Sequence, residues 1–420
     1  MNKTQAWWGV LITLITVLLG AVYLDNEALF LRLLLGLSLG FALTKGSIGF
    51  AGSVNRAYRR GSTQLLQVLM FMFVVTAIIN AGILFNAPPE RFGLWVNPIN
   101  LGLIVGGVMF GFGMSLSSCC ATGVMVEMVS DIPRALVTLI FFGAGVFLGF
   151  PLQATQSWIT DTLVSTASYQ GKGVFLPDLF SFDPLNGYFM SVLVTIVFAT
   201  IISLAAKAYQ ARREQAGTFL GVDGEILREK NLTASNVQTP AKLLSVETYQ
   251  RWFGNVWRMR TTALVIALIF GIMMVATGSG WGASTPFGIW FGKLLIAGGV
   301  NASDIAAFTH RPQGLFEMAF FSHGVSVQNL AILIGTLIAV LLLGKFSLSL
   351  TARYSLRHYS LFAFGGLLMG FGTRFANGCN VGALFTPIAN FSLSGWVFLI
   401  FLLLGGILGN RFHAVILKQC

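Results

Sequence analysis

Charge is what this chain has least of. Only 10% of its 420 residues are Asp, Glu, Lys or Arg, against roughly a quarter in soluble globular domains. That shortage excludes a soluble domain, and it excludes a disordered chain, which needs charge to stay solvated. Cysteine is as scarce, with Cys119, Cys120, Cys379 and Cys420 the complete set, so there is no disulfide framework and no CxxC redox motif. Histidine is scarce too, and His310, Glu317 and His323 stand too far apart to suggest a metal site. No cofactor is read from the sequence. What is abundant is apolar: 55% of the residues are hydrophobic and the mean hydropathy is +0.78. They fall in runs long enough to cross a bilayer, for which about 20 residues suffice.

Ten such runs stand out, at residues 7–24, 28–43, 65–85, 99–118, 133–151, 187–206, 261–278, 326–344, 359–376 and 394–411. The expected fold is an all-α integral membrane protein with about ten transmembrane helices. The first run precedes Asp25 and Glu27 with no small-residue cleavage site, and is read as a retained helix. The formal charge of +11 does not point to nucleic acid, because Lys and Arg gather in the connections between runs, as cytoplasmic loops require. By that rule both termini lie inside. Residues 1–206 form a first membrane half and 207–260 a basic cytoplasmic connecting loop, and 261–420 form a second half. Three intervals are too short to span yet too apolar for free loops: GSIGFAGS after Lys45, the segment after residue 118, and much of 279–325. They are expected to be re-entrant half-helices.

One phrase occurs twice. GFGMSLSSCCATG runs from Gly111 to Gly123 and GFGTRFANGCNVG from Gly370 to Gly382, matching at Gly-Phe-Gly, at Cys120 with Cys379, and at the closing glycine. The run before Cys120 goes inward and the run before Cys379 outward. The chain therefore reads as an inverted-topology repeat, a transporter plan with the solute near the midplane. Glycine alone would equally serve close helix packing; a thiol repeated at one place favours a pathway. At the start of a half-helix, free N–H groups and the positive dipole end favour an anion, and a neutral S–H is a weak donor suited to a soft acceptor. The bland alternative is a small buried hydrophobe. Cys119 stands opposite Gly378 and Cys420 is terminal, so both are read as incidental. Lys45 and Arg374 are read as attracting an anion or as interfacial anchors. Asn377 and Asn380 are read as amide donors or helix caps, and Glu127 as a cap or a proton carrier.

These two phrases, with FGFG before Cys120 and FSLSGW after Cys379, resemble the YeeE/YedE family of membrane permeases for sulfur compounds. The resemblance implies an importer in the bacterial cytoplasmic membrane, not an enzyme, moving a small inorganic sulfur anion, thiosulfate first. It implies that the terminal sulfur passes along cysteines by S–H···S contacts, with Cys120 and Cys379 matching two of them. The family's further cysteine sits in a stretch like I-C-F, where this chain has Ile48-Gly49-Phe50, and Gly49 is the departure. A small cytoplasmic sulfur-carrier protein of the TusA type is the implied partner. Three alternatives stay open: a selenium-compound permease, a membrane thiol or persulfide-handling enzyme whose cysteines react, and a structural membrane partner of a larger complex.

Overall fold

The computed structural model describes residues 3–88, 91–180, 182–225, 249–347 and 354–418. Glu90, Arg353, Cys420 and residues 226–248 of the expected connecting loop lie outside the described residues. The first half holds α1 (Lys3–Tyr23), α2 (Glu27–Gly46), the short α3 (Phe50–Arg60), α4 (Gln64–Leu84), α5 (Leu101–Ser117), the short α6 (Ala121–Glu127), α7 (Ile132–Thr155) and α8 (Tyr188–Gln215). The second holds α9 (Met259–Thr277), α10 (Thr285–Ala297), α11 (Ala302–Thr309), α12 (Gly324–Leu342), α13 (Leu356–Phe375), a π-helical turn (Asn380–Phe385) and α14 (Ser394–Lys418). No strand forms among the described residues.

Nine helical stretches among the described residues are long and apolar enough to cross a membrane, with α2 and α3 counted as one stretch and α5 and α6 as another. α13, at 20 residues, carries Arg357, His358 and Arg374 and falls outside those nine, yet it is packed between α5 and α7. The chain is a multi-pass, all-α membrane protein. α8 runs to Gln215, nine residues past the end expected from hydropathy. Its polar last turns are held by protein: Arg213 donates to the Tyr58 carbonyl (3.0 Å) and Gln210 accepts from the Thr63 N–H (3.0 Å).

Glycine sets how the central helices cross. α5 and α13 run antiparallel, since a Cβ on Gly106 would meet the Gly372 carbonyl (2.8 Å) while Gly113 meets Gly365. α7 runs parallel to α13, with Gly370 against the Phe142 carbonyl (2.5 Å) and Gly149 against Arg374. α14 stands in that relation to α5, through Gly107 on Phe401 and Gly409 on Phe112. α2 likewise runs parallel to α12, Gly36 lying on Gln328 and Gly40 on Ile332. Lipid tails are as apolar as side chains, so helices associate through such close backbone contact rather than through water exclusion. α1 and α8 keep much of their apolar surface exposed, including Trp7, Leu18, Val197 and Ile201, and form the rim facing lipid.

Candidate functional site

Two breaks in helix bring the repeated cysteines into one core. α5 stops at Ser118, which takes a left-handed conformation (φ 59°), and the chain restarts at once as α6 with Cys120 as its N-cap. The Gly123 N–H donates to the Cys120 Sγ at 3.3 Å, and the Thr122 hydroxyl lies 3.4 Å from the same sulfur. Asn377 plays the part of Ser118 after α13 (φ 56°), and Cys379 is the N-cap of the following turn. Ala376 lies against Gly106, and four residues later the Asn380 Nδ2 reaches the Met114 Sδ (3.3 Å), so the chain turns back along α5. Asn380 thus spends its amide on a thioether, and its Oδ1 is buried without a partner.

Cys120 and Cys379 share one hydrophobic cluster, each 1% exposed. A third N-cap belongs to the same cluster. Gly49 opens α3 between Ile48 and Phe50, and the Phe50 ring lies 6.4 Å from that of Phe385 in the Cys379 turn. A Cβ built on Gly49 would meet nothing within 4 Å, and its φ of −144° suits any residue. Cys119 faces away, into a small cluster with Val124 and Ala135.

At the end of α13 opens a polar cavity of about 400 Å³, lined by Arg374 and by Asn377, which precedes Cys379 by two residues. Arg374 is 4% exposed, and its guanidinium donates to the hydroxyls of Ser284 (2.9 Å), Thr285 (3.3 Å) and Thr373 (3.2 Å). Arg311 lies across from it, the two guanidinium groups 5.0 and 5.4 Å from the centre of the Phe150 ring. Gln153 links the wall, accepting from Arg311 (2.8 Å) and donating to the Asn377 Oδ1 (2.6 Å). Among the described residues no carboxylate pairs with either arginine, and the Arg311 Nε has no hydrogen-bond partner. A buried cation without a counter-ion is costly, and hydroxyls only partly offset it. The cavity is chemically suited to an oxyanion, with planar forks on two sides.

The other candidates sit apart. Lys45 is fully buried, with its Nζ on the Phe253 carbonyl (2.6 Å) and over the Phe41 ring. Glu127 ends α6 rather than beginning it, and pairs with Arg134 (2.8 Å), which also holds Asp131 (3.1 Å). Sequence reasoning missed Arg311, Gln153 and Met114. The sole signal for Arg311 was a cation in a Gly- and Pro-containing interval, a pattern shared with any interfacial anchor.

Comparison with known proteins accounts for most of the chain. The profile of the family described as Sulphur transport matches residues 45–408, taking in all three N-caps and the cavity. The thiosulfate transporter TsuA of Spirochaeta thermophila is 23% identical over 388 residues, 89% of this chain and 95% of the relative. The thiosulfate transporter TsuA of Escherichia coli is 23% identical over 382 residues, 89% and 91% of the two chains. The probable transporter YedE of Escherichia coli is 28% identical over 169 residues, 38% of this chain and 39% of the relative.

Proposed function

This chain belongs to the sulphur-transport family, and from that premise we propose that it imports thiosulfate across a bacterial cytoplasmic membrane along a path lined by Cys379 and Cys120. It is a membrane transporter of sulfur compounds rather than an enzyme. The thiosulfate assignment draws on the relatives named for that solute, and one observation of this chain carries it: the Arg311–Arg374 cavity has no carboxylate in its lining, and it is lined by Asn377, two residues before the Cys379 N-cap, and by Asn97, which donates to the Gly382 carbonyl of the same turn (3.3 Å).

In this reading the solute's oxygens take the guanidinium forks and the Asn377 amide, which leaves the terminal sulfur toward the Cys379 thiol. A neutral S–H donates to that sulfur, and the buried Cys120 thiol offers the next donor. Each thiol stays protonated, since a thiolate would repel the anion. The antiparallel crossing of α5 with α13, and the matched partnerships of α7 and α14, support an inverted repeat in which the segments after Ser118 and Asn377 re-enter the membrane. Arg59, Arg60 and Arg212 mark the cytoplasmic end by the positive-inside rule, so the Arg374 cavity is the outer mouth. A TusA-like carrier would receive the solute's sulfur at the other.

The test is initial uptake of sulfur-labelled thiosulfate by cells lacking other sulfate and thiosulfate importers, at equal membrane expression. Uptake should be lost in both Cys120→Ser and Cys379→Ser. Transport that survives in both variants would make the thiols packing residues, and no thiosulfate uptake by the parent would end the solute assignment.

A further inference from the structure

The end of α5 remote from Arg374 carries an arginine of its own. Gly102, at the N-terminal end of α5, lies against the Phe375 carbonyl beside Arg374, whereas Ser115, near the C-terminal end, accepts from Arg59 of α3 (3.0 Å). Both lie on α5 (Leu101–Ser117), and their 13-residue separation at ~1.5 Å per residue puts them roughly 20 Å apart. Arg56 lies on α3 two turns past Gly49, and its side chain runs back toward that N-cap. Its Nε passes 3.3 Å from where a Cβ on Gly52 would lie, and its Nη2 donates to the Ser47 carbonyl at 3.4 Å. The guanidinium thus reaches the Ser47 carbonyl, two residues before Gly49, where a Cβ would meet nothing within 4 Å.

That arginine is occupied. Its Nη1 meets the Glu225 Oε1 at 2.8 Å, and the other Glu225 oxygen accepts from the Ser62 hydroxyl. Glu225 is 4% exposed, although it comes from the loop that follows α8. The backbone of that loop is tied to the end of α3 by two bonds, from the Leu220 and Gly221 N–H groups to the Arg60 carbonyl (2.9 and 3.1 Å). Arg374 and Arg311 have no such carboxylate among the described residues. The arginine at this end therefore has a resident anion, and those at the other end have none among the described residues.

We propose that Arg56 is a second oxyanion site of the pathway, at the end opposite the Arg311–Arg374 cavity, and that Glu225 is the protein's own anion, which closes that mouth. The proposal rests on the transport reading above. An anion arriving beside Gly49 competes for Arg56 and repels the Glu225 carboxylate at short range. Glu225 lets go, the loop lifts, and the anion leaves past Arg56. With no anion present the ion pair re-forms and the mouth is shut.

The test places a reporter thiol where the fold has room, as Gly49→Cys in a Cys420→Ser background, and measures its labelling by a sulfonate-bearing thiol reagent in inside-out vesicles. Glu225→Gln should speed labelling about tenfold, the factor expected from weakening one charge-assisted hydrogen bond. The exchanged pair Arg56→Glu with Glu225→Arg guards against a folding artefact. It restores the ion pair and the melting temperature, but puts a carboxylate at the mouth, so labelling should be slow and thiosulfate uptake low. Labelling of Glu225→Gln at the parent's rate, or full uptake by the exchanged pair, would make the pair a mere staple and overturn the proposal. Faster labelling of Glu225→Gln together with no thiosulfate uptake by the parent would keep the gate and reject the solute.

Discussion

Replacing Arg374 by Gln asks most directly whether the Arg311–Arg374 cavity holds the solute. The guanidinium is met by three hydroxyls and one aromatic face, none carrying charge. An arriving anion therefore gains hydrogen bonds to a charged donor, worth about 1.5–3 kcal/mol each, without first displacing a carboxylate. Losing one such bond should raise KM between about tenfold and 150-fold, at 1.4 kcal/mol per decade. Arg374→Lys keeps the charge but not the planar fork, and its KM should lie between those of the parent and the Gln variant. The assay is initial thiosulfate uptake into proteoliposomes as a function of concentration, with melting temperature in detergent as the check on folding. A Gln variant that melts like the parent and keeps its KM would refute the anion-binding role and leave Arg374 as a structural donor to Ser284 and Thr285.

Other outcomes follow from packing and capping. Gly145→Ala should lower stability by about 1–3 kcal/mol by overpacking, since its Cβ would press on the Leu367 carbonyl; Gly82→Ala, with nothing within 4 Å, should gain about 0.5–1 kcal/mol from helix propensity, and thermal melting in detergent separates the two. Lys45→Met removes the bond to the Phe253 carbonyl, so limited proteolysis near residues 249–257 should quicken while the KM for thiosulfate is unchanged. His323 caps α12 by accepting from the Ser326 N–H (3.2 Å), and burial, aided by Arg32 and Lys293, pushes its pKa below the usual value. A lowered folded pKa means that the contribution is complete above the unfolded value of about 6.5 and is lost as pH falls through the lower folded one. His323→Asn keeps an acceptor at the cap and should flatten that acid limb of the melting-temperature profile.

Cys120 and Cys379 were visible in the sequence because the phrase around them repeats, and the left-handed Ser118 and Asn377 show what the repetition encodes: a stop, a turn and a restart with the thiol at the N-cap. Lys45 shows the limit of such reading. Its place beside a Gly-rich break suggested the pathway, yet its ammonium goes to a carbonyl more than 200 residues away, which no local pattern records. Glu127 is similar, since its pairing with Arg134 depends on how α6 meets α7.

Taken alone, the sequence determined the membrane class, the approximate spans and the repeated phrase around Cys120 and Cys379, because hydropathy and helix breaks are properties of short stretches acting on lipid and on their own backbone. Only the tertiary structure decided the Arg311–Gln153–Asn377–Arg374 cavity and the hold of Glu225 on Arg56. Those groupings depend on which helices cross and in what sense, and that is set where glycine backbones touch. Gly372 on Gly106 and Gly370 on Phe142 seat α13 between α5 and α7, and so bring Arg374 to Phe150, across from Arg311.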